Sequence, residues 1–148
     1  SNLAVIEGDV AQGEEWLAQV LDEFPDDVGA MNDLGYLWAD QNKNLDRAKQ
    51  MIQKAVDAEP ENSAYRDSLG WVLYRLGKYP EALVELKKAA AVKKADGTVL
   101  EHLGDTYEKL GQRKMAVDAW QKAAEALRGE KEAKKAEAVE KKIKEASK

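Results

Sequence analysis

Small and apolar residues recur along this chain with the period of a helix pair. Leu34-Gly35, Leu69-Gly70 and Leu103-Gly104 return at spacings of 35 and 34 residues, with Ala48, Ala82 and Ala116 in the same register. Ala55, Ala89 and Ala123 lie seven residues further on, and bulky Ile52, Leu86 and Trp120 stand between the two alanine series. Within each period the apolar positions keep helical spacing. Asp27, Asn62 and Asp96 recur just ahead of each unit, residue types whose side chains accept the unpaired amide hydrogens of a helix start. Pro25 and Pro60 stand two residues before the first two of these and stop the preceding helix. Gly77 and Gly111 mark the turn inside a pair, and Gly8 lies in the same phase. The pattern predicts helix pairs at 28–62, 63–96 and 97–130, after a partial unit at 1–27 and before a capping helix at 131–148. Glycines on the first helix and alanines on the second allow close approach. Leu34, Trp38, Leu69, Leu73, Leu103 and Tyr107 then fill the space between them. One pair buries too little to stand alone, so the pairs must stack into an all-α solenoid.

Local departures refine this picture. The first full unit is one residue longer than the others, with Gln41-Asn42-Lys43-Asn44 in place of the glycine turn, so its loop should bulge. Lys94 occupies the phase at which a proline would close the second unit. Gly8, Gly13, Leu17, Val20 and Pro25 in phase make 9–24 the second helix of the partial unit. Its first helix would then lie upstream of Ser1, so the chain is expected to be a segment of a longer repeat protein or to open on a degenerate cap. Trp16 is expected either to face an upstream unit or to lie half-exposed. After Arg128-Gly129-Glu130 the sequence turns to Lys, Glu and Ala with a thin apolar line at Ala136, Val139, Ile143 and Ala146, as a helix that ends a stack in water requires. Four Glu among seven Lys argue against a basic tail for anionic partners.

Leu69-Gly70 with Leu73-Tyr74, Gly77-Lys78-Tyr79, Ala82, Leu86 and Ala89 resembles the tetratricopeptide repeat signature. Leu103-Gly104, Tyr107, Gly111, Ala116, Trp120 and Ala123 match it again. The run from Asp67 to Gly77 is similar to segments of bacterial members of that family. The resemblance extends from residue 1 to about 127. It implies a right-handed superhelix of antiparallel helix pairs, a scaffold that binds other proteins on its concave face. A ligand mode known in the family is the capture of acidic chaperone tails by a Lys/Asn/Arg cluster. Here the corresponding stripe is Asn32, Tyr36, Asp67, Trp71, Thr98 and Glu101, so no binding of a chaperone tail is expected.

Charge and composition narrow the chemistry. With 34% charged residues and a net charge of -5, general nucleic-acid binding is not expected. The absence of cysteine excludes disulfides, thiolate metal sites and thiol catalysis, while leaving the compartment open between cytoplasm and periplasm. Leu3-Ala4-Val5-Ile6 is far short of the roughly 20 apolar residues that span a bilayer, so no membrane insertion is expected. His102 stands alone on a helix, without the further ligands of a metal site or the nucleophile of a triad. Glu101 and Asp105, one turn apart, could hold a hydrated cation weakly, but a solvated helix face is the plainer reading. Neither an enzyme, a cofactor nor a metal is expected.

On the first helices the positions one turn from the Leu-Gly pairs should line the concave face. These are Asn32, Tyr36, Ala39 and Asp40, then Asp67, Trp71, Tyr74 and Arg75, then Glu101, Asp105, Glu108 and Lys109. Asp40, Asp67, Glu101, Asp105 and Glu108 against Arg75 and Lys109 make the surface acidic, and Tyr36, Trp71 and Tyr74 cluster near its middle. Aromatics at helical spacing usually belong to a core, but Leu69, Gly70, Leu73 and Leu76 already fill the core phase, so Trp71 stands open between a core residue and a binding anchor, whereas Trp38 and Trp120 fall in core phases. The expected ligand is a protein or peptide segment carrying Lys or Arg beside an apolar anchor. Two alternatives stand beside this: self-association through an N-terminal end exposing Val5, Leu17 and Val20, and a docking arm of a larger enzyme.

Overall fold

The computed structural model describes residues 2–148, with side chains from residue 8 onward. Among these residues eight helices follow one another: α1 (Asn2–Glu23), α2 (Val28–Asp40), α3 (Leu45–Ala58), α4 (Ser63–Arg75), α5 (Tyr79–Ala90), α6 (Gly97–Lys109), α7 (Arg113–Gly129) and α8 (Ala133–Ala146). They pair as α2/α3, α4/α5 and α6/α7. α1 packs before the first pair and α8 after the last, giving an all-α solenoid.

The sequence signals act where expected at most helix ends. Asp27 Oδ1 accepts the Ala30 amide at 3.0 Å, and Asn62 Oδ1 accepts that of Tyr65 at 3.1 Å. Asp96 precedes α6 but makes no such bond. The first amide of α6, that of Gly97, donates to Glu130 Oε2 at 2.9 Å, from the far end of the same pair. Gly77 and Gly111 take φ of 79° and 76°, the left-handed geometry that a tight turn demands and glycine tolerates. The longer first turn does bulge, and it does so on asparagines: Asn42 and Asn44 adopt φ of 57° and 49°. Gly8 makes no turn. α1 runs unbroken through it, so the reading of a helix confined to 9–24 is corrected to one of 22 residues. A glycine inside a helix costs about 1 kcal/mol relative to alanine, too little to force a turn by itself.

Each pair is clamped at the predicted crossing. A Cβ on Gly35 would stand 2.7 Å from Ile52 Cγ1, and one on Gly70 would stand 2.5 Å from Leu86 Cγ. On Gly104 it would stand 2.5 Å from Trp120 Nε1 and nearer still to Cδ1. Gly97 makes a further such crossing against Leu127. Ala48, Ala82 and Ala116 are fully buried, as are Ile52, Leu86 and, all but completely, Trp120. Trp38 is only partly buried, with the Arg47 guanidinium 5.6 Å from its ring centroid. At the N-terminal end, Leu17 is buried and Val20 packs against it with Leu34, so neither is the exposed apolar residue expected; Val5 lies outside the described side chains. Among the described side chains there, Trp16 (63%) and Phe24 (59%) are large exposed apolar groups. At the other end Ala136 and Val139 are fully buried against α7, so α8 is packed along its apolar line.

Candidate concave binding face

The first helices α2, α4 and α6 lie side by side, and α8 continues the row. On their shared face most of the acidic and aromatic groups turn to one another instead of to solvent, and Ala39, expected to line it, is fully buried in the core. Trp71, open between core and anchor in the sequence, is buried (7% exposed). Its ring stacks on His102 at 3.9 Å between centroids and on Tyr74 at 4.8 Å, with the Arg75 guanidinium 4.7 Å above it. Its indole N–H donates to Asp40 Oδ1 at 3.4 Å, and Arg75 donates to the Asp40 carbonyl at 3.1 Å. The side chain therefore ties α2, α4 and α6 together and belongs to the core. Helical periodicity ranks positions around one helix. It does not show that an indole is long enough to reach both neighbours.

His102, which in the sequence stands only as a lone metal ligand or base, is buried and lies 2.9 Å from Asp67 Oδ1 through Nδ1. Asp67 is itself buried. A signal for this pairing exists in the register: Asp33, Ser68 and His102 share one phase, immediately after Asn32, Asp67 and Glu101. The acidic pair Glu101 and Asp105 holds the ammonium of Lys142 from α8, at 2.7 Å and 2.9 Å respectively, in place of a hydrated cation. Burial pushes the Asp105 carboxyl up, against the pull of Lys142. Desolvation works to lower Lys142, but the two carboxylates outweigh it and its ammonium is held above the ordinary range. Asp105 also accepts the Trp120 indole N–H at 3.0 Å.

Of the five acids counted from the sequence, Asp67, Glu101 and Asp105 are thus paired internally, and Asp40 stands 3.8 Å from Arg75. Glu108 is exposed. Tyr36 is partly buried, and burial together with Asp67, Asp40 and Glu101 drives its phenol far above the usual value. Burial, with Asp105 nearby, pushes the Tyr74 phenol up to about 12.

The open part of this face is a hollow of about 400 Å³ over the middle of α2 and the N-terminal halves of α4 and α6. Asn32, Asp33, Tyr36, Asp67, Asp96 and Thr98 supply its polar wall, and Leu37 and Val99 its apolar one. Asp33 and Asp96, exposed carboxylates, fall outside the predicted site residues.

Tetratricopeptide repeat models match residues 4–71, 63–95 and 98–126. The chain belongs to the tetratricopeptide repeat family. Members of that family generally mediate protein–protein interaction. The TPR repeat-containing protein PA4667 of Pseudomonas aeruginosa is 38% identical over 105 residues, 71% of this chain. The matched stretch spans only 18% of that protein's length. Among solved structures, MamA AMB-1 is 30% identical over 84% of this chain and 73% of its own, with a TM-score of 0.65. TTC0263, a thermophilic TPR protein of Thermus thermophilus, superposes with a TM-score of 0.73 over 96% of this chain and 75% of its own. At 20% identity it is a likeness of fold. Among the described residues no helix is long and apolar enough to cross a membrane.

Proposed function

We propose that this tetratricopeptide repeat chain is a non-catalytic scaffold that binds a segment of another protein along the face of α2, α4 and α6, centred on the hollow beside Tyr36. The observation that carries the reading is the contrast within that face. Trp71, Tyr74, His102 and Lys142 are spent on internal contacts, while the hollow keeps polar and apolar wall groups accessible. A pocket that mixes a few convergent polar groups with apolar lining is the usual form of a recognition site. Asn32, Tyr36 and Asp67 remain contact candidates from the predicted set. Asp40, Trp71, Tyr74, Arg75, Glu101 and Asp105 act instead as the frame beside it, and Glu108 lies outside the hollow.

Affinity capture from source-cell lysate tests this with one variant in the hollow and one outside it, each confirmed as folded by circular dichroism. Tyr36→Arg fills the hollow, and Val84→Arg places the same charge on an exposed site away from it. Partners lost with the first and kept with the second support the reading; the reverse pattern contradicts it. Trp71→Ala is unsuited to this role, because removing a buried indole unsettles three helices together.

A second reading, self-association through the N-terminal end, rests on exposed Trp16 and Phe24 on and just after α1. Light scattering across a concentration range tests it. A mass that stays monomeric throughout counts against it.

A further inference from the structure

We infer that the hollow over α2, α4 and α6 is a subsite for one cationic side chain, lysine or arginine, of the bound segment; this rests on the concave-face reading above. Three carboxylates line the hollow, from Asp33, Asp67 and Asp96, and no lysine or arginine does. Asp67 accepts from His102 through Oδ1. Asp96 stands at the N-cap position of α6, yet its side chain does not cap the helix. Its carboxylate is exposed and borders the hollow.

Asn32 supplies the independent sign of a missing donor. It is 7% exposed and lines the hollow, and its Oδ1 is one of two fully buried side-chain polar atoms without a partner among the described residues. Its Nδ2 donates to Asp33 Oδ1 at 3.3 Å, which fixes the orientation of the amide and leaves the carbonyl end unpaired. A buried acceptor with no donor is costly, and a polar group brought in by a ligand relieves that cost. The lining carboxylates and the unpaired amide oxygen are acceptors, while the hydroxyls of Tyr36, Ser68 and Thr98 can adapt to either role and that of Ser68 already donates to the Ala64 carbonyl. The complementary group is one with donors only, which describes ammonium and guanidinium. Leu37 and Val99 offer apolar walls for the methylene stem of such a side chain. An anionic or purely apolar side chain would leave the acceptors unmatched.

Blocked alanine pentapeptides with lysine, arginine, norleucine or glutamate at the centre, titrated into the whole chain and followed by amide chemical shifts, test the assignment. The lysine and arginine peptides are expected to shift the Asn32 side-chain amide and the Thr98 backbone amide, and the glutamate peptide is not. Asp33→Asn/Asp96→Asn, at two exposed carboxylates, should weaken the cationic peptides about tenfold or more, while Asp118→Asn elsewhere on the surface should not. Norleucine binding as well as lysine, or an unchanged affinity in the double variant, would overturn the cation subsite and leave the concave-face reading standing. So would the absence of any shift in the hollow with either cationic peptide. Loss of that wider reading would show instead in the capture experiment, as partners indifferent to Tyr36→Arg.

Discussion

Replacing Gly104 by alanine probes the contact on which the whole stack is built. An added Cβ would lie 2.5 Å from Trp120 Nε1, closer than non-bonded carbon and nitrogen can approach. The obstacle is not the end of a flexible side chain. Trp120 is 1% exposed, and its indole N–H is committed to Asp105, which in turn holds Lys142. Relief requires the indole to move, which strains the pair and loosens a hydrogen bond to a charged group. Overpacking costs about 1–3 kcal/mol, and a hydrogen bond to a carboxylate contributes about 1.5–3 kcal/mol. Alanine returns at most about 1 kcal/mol of helix propensity. The balance is a destabilisation of about 2–4 kcal/mol, or a fall in Tm of roughly 5–15 °C for a chain of this size. Gly8→Ala makes the same chemical change inside α1 where no atom lies within 4 Å, and should raise stability by up to about 1 kcal/mol. Far-ultraviolet circular dichroism in urea and on heating reads both. A Gly104→Ala chain as stable as its parent would refute the reasoning.

The internal pairing leads to three further outcomes. His102→Ala leaves the buried Asp67 carboxylate without its partner and should cost about 3–5 kcal/mol by urea denaturation. Asp67→Asn, which keeps a hydrogen-bonding group in place, should cost clearly less. Lys142→Ala releases Glu101 and Asp105; because the lysine is partly exposed the loss should be near 1 kcal/mol, seen as faster amide exchange in α8. The raised phenols of Tyr36 and Tyr74 contribute stability that is complete below the ordinary tyrosine value of 10.0 and is lost as pH rises through the folded values. Stability should therefore fall from about pH 10 upward, and Tyr36→Phe/Tyr74→Phe should flatten that fall in denaturation curves recorded across alkaline pH.

How far the sequence carries depends on whether a feature is set by one helix or by several. Gly35, Gly70 and Gly104 opposite Ile52, Leu86 and Trp120 are crossings within a pair, and the period exposes them directly. The Asp27 and Asn62 caps are equally legible, because a cap acts within three residues. The concave face depends on neighbours 31 to 41 residues apart, where phase gives only a row of candidates. Phase alone thus leaves Trp71 open between core and anchor, though its ring spans the row, and makes free charge of Glu101 and Asp105, though α8 brings Lys142 to them. Asp96 occupies the cap phase without capping α6, while the Gly97 amide is bonded by Glu130, 33 residues away, a contact that phase does not show. Gly8 shares the turn phase, but a residue type that permits left-handed backbone does not oblige it.

Photo-crosslinking measures the central functional claim most directly. A photoreactive residue placed at Thr98, on the wall of the hollow, and another at Val84, exposed away from it, would be irradiated in turn with the captured partner present. Adducts from position 98, suppressed by excess lysine peptide and absent from position 84, are the expected result. Equal labelling from both positions, or labelling from 84 alone, would mean that another surface of the solenoid does the binding.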